Sequence, residues 1–173
     1  KADTIEELAR SAGIDARGRV QAKDFCFPDL FFPAVRGCDL DVEISGRNLA
    51  IHRWKMNAGE SILVASGKLR GWEGLRGDIL VRSDFLDMSD ISRGFMEKGE
   101  KNNNAGNFMD RSEISVRMEV KNGIWKNIVY GPLEAELDLR HGDIYIHHSK
   151  AVLENGFLTL DGRIMRGDSP GLN

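Results

Sequence analysis

The residues of this 173-residue chain whose types first suggest chemistry are four histidines, two cysteines and a spaced set of aspartates. His147 and His148 are adjacent. Neighbouring strand residues point to opposite sides of a sheet, so the two cannot readily hold one metal ion between them. His52 and His141 stand at no ligand spacing, and all four read as strand and turn residues. Asp84, Asp87 and Asp90 suggest calcium, yet they lack the glycine and closing glutamate of an EF-hand loop. Helix capping accounts for them better, with Asp87 as the N-cap. Cys26 and Cys38 could form a disulfide in an oxidising compartment. They could equally be two small buried residues beside Phe25, Phe27, Phe31 and Phe32, because spacing alone does not bring two sulfurs together.

No nucleophile elbow, phosphate loop or dinucleotide fingerprint is present. The many carboxylates alternate with apolar residues along the chain, the pattern of a solvated sheet face and not of paired acid–base groups. The expectation is a protein that is not an enzyme and holds no metal and no cofactor. Trp54, Trp72 and Trp125 read as caps over the ends of a core, with contact to a ligand or membrane interface as the alternative.

Composition bounds the rest. A net charge of −3 and a hydrophobic content of 41% suit a globular domain, and the length supports one sizeable core. No basic stripe points to nucleic acid. No apolar run is long enough to span a bilayer, and no secretory signal pattern is visible. The chain starts at Lys1 and runs at once into a helical pattern, so the expectation is a fragment of a longer protein.

The elements that would position these residues follow from periodicity. Thr4-Ile5-Glu6-Glu7 is a capping box, and Ile5, Leu8, Ala9 and Ala12 share one stripe, which predicts a helix over about 4–12. Residues 17–25 suit a strand, and 25–33 a loop or edge segment broken by Pro28 and Pro33. Val42, Ile44, Leu49 and Ile51 then alternate with polar residues around a Ser45-Gly46-Arg47-Asn48 turn. Strands are expected over about 60–70 and 75–83. Val116 and Met118 continue the alternation, as do Leu137 and Leu139, then Ile144 and Ile146. Met88, Ile91 and Phe95 predict a second helix over about 86–97, and the Asn-rich stretch behind it predicts a flexible linker.

The chain also repeats. Asp39 to Leu69 aligns without a gap onto Glu134 to Ile164, with Ile51, His52, Lys55, Leu63 and Gly67 matched by Ile146, His147, Lys150, Leu158 and Gly162. The second copy stops before an equivalent of the 75–83 strand, which suggests a truncated array. The expected architecture is therefore one mainly β domain over 1–173, with a minor helical part. It is a curved antiparallel sheet built from two related units, about 17–84 (core match 39–69) and 111–167 (core match 134–164), with helix and linker over 85–110 between them.

Several stretches together resemble the AsmA-like proteins of Gram-negative envelopes. They are Ser83-Asp84-Phe85-Leu86-Asp87 leading to the Asn-rich linker, the strand from Ser112 to Val120, and Leu133-Glu134-Ala135-Glu136-Leu137-Asp138-Leu139. His141-Gly142-Asp143-Ile144-Tyr145-Ile146 and Gly156-Phe157-Leu158-Thr159-Leu160-Asp161-Gly162 close the layout. The aromatic, proline-containing segment 25–33 departs from it. The resemblance implies a periplasmic segment of a protein anchored in the inner membrane, linked to outer-membrane biogenesis and phospholipid passage. It also implies phospholipid acyl chains and other envelope proteins as partners, and no nucleic acid. The apolar lining, as core or as lipid-facing surface, would be Val42, Ile44, Leu49, Ile51, Val116, Met118, Leu137, Leu139, Ile144 and Ile146. The competing expectation is a β-rich scaffold or adhesion module that binds protein or glycan.

Overall fold

Alternation of apolar and charged residues gives strands with one dry and one wet face, and such strands stack into a sheet. The computed structural model describes residues 17–25, 35–71, 74–89 and 111–164. They form one mixed, curved sheet of ten strands. These are β1 (Arg17–Phe25), β2 (Val35–Ser45), β3 (Asn48–Ala58), β4 (Ser61–Arg70), β5 (Arg76–Asp87), β6 (Glu113–Trp125), β7 (Ile128–Arg140), β8 (Asp143–Leu153), β9 (Gly156–Thr159) and β10 (Gly162–Ile164). Spatial order follows chain order to β8, and β9 and β10 lie one after the other along the free side of β8.

Two-residue turns join most neighbours. Gly46 and Gly142 sit there with φ of 57° and 81°, a region that glycine enters without steric cost. The sheet departs from the wholly antiparallel expectation at one place: β5 and β6 run parallel, from Arg76↔Glu113 to Asp87↔Ile124. A parallel neighbour cannot be reached by a tight turn. The chain must leave one end of the sheet and re-enter at the other, which takes a dozen residues or more. Twenty-five residues separate Asp87 from Glu113, enough for such a connection.

The second expected helix is corrected at its start. Phe85, Leu86 and Asp87 belong to β5, because their backbone pairs with Asn122, Gly123 and Ile124 of β6, and Leu86 is fully buried. Among the described residues of that span Met88 and Ser89 turn helically, and Asp87 Oδ1 accepts the Ser89 N–H at 2.8 Å in the manner of an N-cap. The rest of that helix, the helix over 4–12, the segment 26–34 and the Asn-rich linker lie outside the described residues.

Alternate side chains from β2 to β8 build the core on one face. One cluster joins Cys38, Met56, Leu63, Ala65, Leu86, Val120, Tyr130, Leu133 and Ala151. A second joins Val42, Ile51, Leu69 and Ile114. Trp54 and Ile79 pack against both, so the apolar face is continuous across the sheet.

Where β4 and β5 separate, serines replace the backbone ladder. Their pairing ends at Val64↔Arg82. Beyond it, Ser61 Oγ accepts the Asp87 N–H at 2.9 Å, and Ser83 Oγ lies 2.8 Å from Ile62 O. Both serines are buried, and each covers a backbone group that would otherwise be dry and unpaired.

Candidate functional site

Strand alternation puts the ten expected lining residues on the apolar side. Val42 and Ile51 are buried within the second cluster, and Ile44, Leu49, Val116, Met118, Leu137, Leu139, Ile144 and Ile146 are half-buried. The ladder brings them into rows. Val42 faces Ile51, Ile44 faces Leu49, Val116 faces Leu137, Leu137 faces Ile146, and Leu139 faces Ile144. Opposed apolar side chains in such rows cover one another laterally and still leave apolar surface uppermost. This makes a banded surface: a filled core at its centre and half-covered aliphatic rows toward the Ser45–Arg140 end.

Trp54 sits between the two clusters. Its indole Nε1 is buried without an acceptor. A dry donor without an acceptor is costly, and among the described residues Trp54 Nε1 and Asn57 Oδ1 are the buried side-chain polar atoms that lack a partner. The sequence reading of Trp54 as a cap over the end of a core is corrected here: the ring bridges two parts of the core. Trp125 is exposed at the β6–β7 turn, and Trp72 lies outside the described residues.

The polar face holds two matching sites that the sequence did not reveal. His52 and His147 are both extra residues at β-bulges. Asp41 pairs with Arg53 and Val42 with Ile51, skipping His52; Glu136 pairs with His148 and Leu137 with Ile146, skipping His147. His52 Nε2 lies 3.1 Å from Glu43 Oε2, and His147 Nε2 lies 2.8 Å from Asp138 Oδ2. The positions correspond in the gap-free match of 39–69 onto 134–164, and there the bulge and the histidine–carboxylate pair occur in both. Alternation alone carried no sign of a bulge, and the shared histidine was the available signal.

Asp138 corrects another expectation. Alternation places it in solvent with the neighbouring acidic residues, but it is 8% exposed. Ser115 Oγ donates to its Oδ1 at 2.7 Å, and Arg140 and His147 contact Oδ2. Burial works to raise its pKa, yet the hydrogen bonds from Ser115 and His147 and the charge of Arg140 outweigh it and hold the carboxyl below its ordinary value. Serine, aspartate and histidine meet here in an order unsuited to nucleophilic catalysis. The serine is bonded to the carboxylate and not to the imidazole, so no base addresses it. A cleft of about 450 Å³ opens beside this group between Arg70, Arg76, Asp78, Glu113 and Arg140. Charges of both signs line it, with Arg76 Nε 3.6 Å from Glu113 Oε2.

No set of three metal-ligating side chains gathers among the described residues. Cys38 is buried on β2, and Cys26 lies outside the described residues. No helix among the described residues is long and apolar enough to cross a membrane. Comparison with protein-family models, with curated proteins and with solved structures finds no match to this chain.

Proposed function

We propose that this chain is a non-catalytic periplasmic segment of an AsmA-like envelope protein, anchored in the inner membrane in its full-length form, and that its apolar sheet face guides phospholipid acyl chains. The observation that carries this reading is the continuity of that face from β2 to β8, with aliphatic rows left half-covered along it. A groove of this kind runs across the strands, so its length grows with strand number. It selects chains by shape and dryness and needs no reactive group. Each methylene moved from water onto such a surface gains about 0.8 kcal/mol.

Native mass spectrometry of the purified chain tests the reading. Phospholipid adducts that survive gentle ionisation, and that exchange with added phospholipid, are the expected result. A lipid-free protein that takes up no phospholipid overturns it, and leaves a filled-core scaffold that binds protein or glycan.

A further inference from the structure

The two aligned stretches, 39–69 and 134–164, differ in what lies beyond their last strand, and that difference defines a docking edge. In the first copy, β4 is covered by β5, with Gly67 opposite Ile79 and Leu69 opposite Gly77. The approach is close: a Cβ on Gly67 would stand 2.2 Å from Asp78 O, and one on Gly77 would stand 2.0 Å from Lys68 O. Glycine is required at both positions because the neighbouring backbone occupies the side-chain space. In the second copy, β9 and β10 take the place of β4 along β8. Gly162 is aligned with Gly67 and meets Ile146 as Gly67 meets Ile51. Yet a Cβ on Gly162 would meet nothing within 4 Å among the described residues. Leu158, Leu160 and Ile164 beside it are 47%, 53% and 57% exposed.

We propose that the β9–β10 edge binds an extended strand, antiparallel and in the register that β5 adopts on β4. The partner's chemistry follows from the β4–β5 contact. A glycine would face Ile164, and an apolar residue two positions later would face Gly162, as Gly77 and Ile79 face Leu69 and Gly67. Main-chain hydrogen bonds to the open edge supply affinity, and alternate side chains supply register. The opposite edge is unlike it. On β1, Arg17, Arg19 and Lys23 place charge along the strand, the usual protection of an edge against pairing.

The probe is a fluorescein-labelled peptide with the sequence Arg76–Asp87, titrated against the chain by fluorescence anisotropy. Saturable binding is expected. Gly162→Val should weaken it at least about tenfold, because a branched side chain fills the space the incoming backbone needs. Gly18→Val, on the β1 edge where a Cβ also meets nothing within 4 Å, should leave binding unchanged. Circular dichroism melting confirms that both variants fold. No binding by the unmodified chain, equal binding by Gly162→Val, or equal weakening by both variants overturns the proposal. None of these results bears on whether the apolar face carries lipid, which the mass measurement reads separately.

Discussion

His147 Nε2 stands 2.8 Å from Asp138 Oδ2 across a β-bulge, and the aligned His52 stands in the same relation to Glu43. The two pairs differ in depth. Asp138 is buried and also holds Ser115 and Arg140, whereas Glu43 and His52 are exposed. Asp138→Asn should therefore cost about 1–3 kcal/mol at neutral pH, since a buried charge-assisted network loses its centre. Glu43→Gln should stay within about 0.5 kcal/mol. The sign with pH follows from the depressed pKa of Asp138. Its stabilisation is complete above the ordinary carboxylate value of 3.8 and is lost as pH falls through the lower folded-state value. Urea unfolding of wild type and Asp138→Asn should show a gap at pH 7 that narrows below pH 3.8. A gap that is the same at both ends contradicts this assignment.

Tyr130 reaches from β7 over β6 to β5 because Gly123 leaves the way open. Its hydroxyl donates to Leu86 O at 2.7 Å, and a Cβ on Gly123 would lie 2.1 Å from Leu86 O and 2.3 Å from the tyrosine oxygen. Gly123→Ala should destabilise by about 3 kcal/mol or more, since backbone on one side and a packed ring on the other cannot both yield. Tyr130→Phe should cost about 1–2 kcal/mol by leaving a buried carbonyl unpaired. Burial, with the nearby Asp87 charge, pushes the Tyr130 pKa to about 12 from 10.0. Stability is then complete below pH 10 and falls as pH rises toward 12, and Tyr130→Phe should abolish that alkaline loss in melting experiments.

On the β1 edge, Arg19 grips Asp41 with two hydrogen bonds, Nε to Oδ1 at 2.7 Å and Nη2 to Oδ2 at 2.5 Å. That grip lowers the Asp41 pKa to about 2 against an ordinary 3.8. NMR titration of the Asp41 carboxyl carbon should show the low value in wild type and a return toward 3.8 in Arg19→Gln. An unchanged titration in the variant would show that Arg19 is not the cause.

Leu137 and Ile146 face each other on β7 and β8, on the apolar side. Leu137→Asp or Ile146→Asp should lower stability by about 2–4 kcal/mol, because each places a carboxylate among aliphatic neighbours with no partner. Wild-type melting in either variant would refute the face assignment.

Much of this architecture was legible because period-two patterning survives folding directly. Val42, Ile44, Leu137 and Leu139 point where their alternation puts them. What escaped depended on contacts between distant strands. The parallel β5–β6 pair leaves no local mark, since Ile79 and Val116 alternate the same way in either orientation. Helical spacing of Met88, Ile91 and Phe95 extended the second helix back over Leu86, where the β6 ladder claims the backbone instead. Asp138 read as solvated because nothing in its own strand announces Ser115 on β6 or the bulged His147 on β8. The close approach at Gly67 was equally silent, as its cause lies at Asp78 on the next strand.

The account rests on the apolar face contacting acyl chains, and site-specific photocrosslinking reads that contact most directly. A photoreactive residue would be placed in turn at Ile44 and Leu139 on the apolar side and at Glu43 and Glu136 on the polar side, and the protein irradiated with phospholipid vesicles. The account predicts lipid adducts at Ile44 and Leu139 and none above background at Glu43 and Glu136. Equal labelling on both sides, or none at Ile44 and Leu139 in a protein that melts normally, contradicts it.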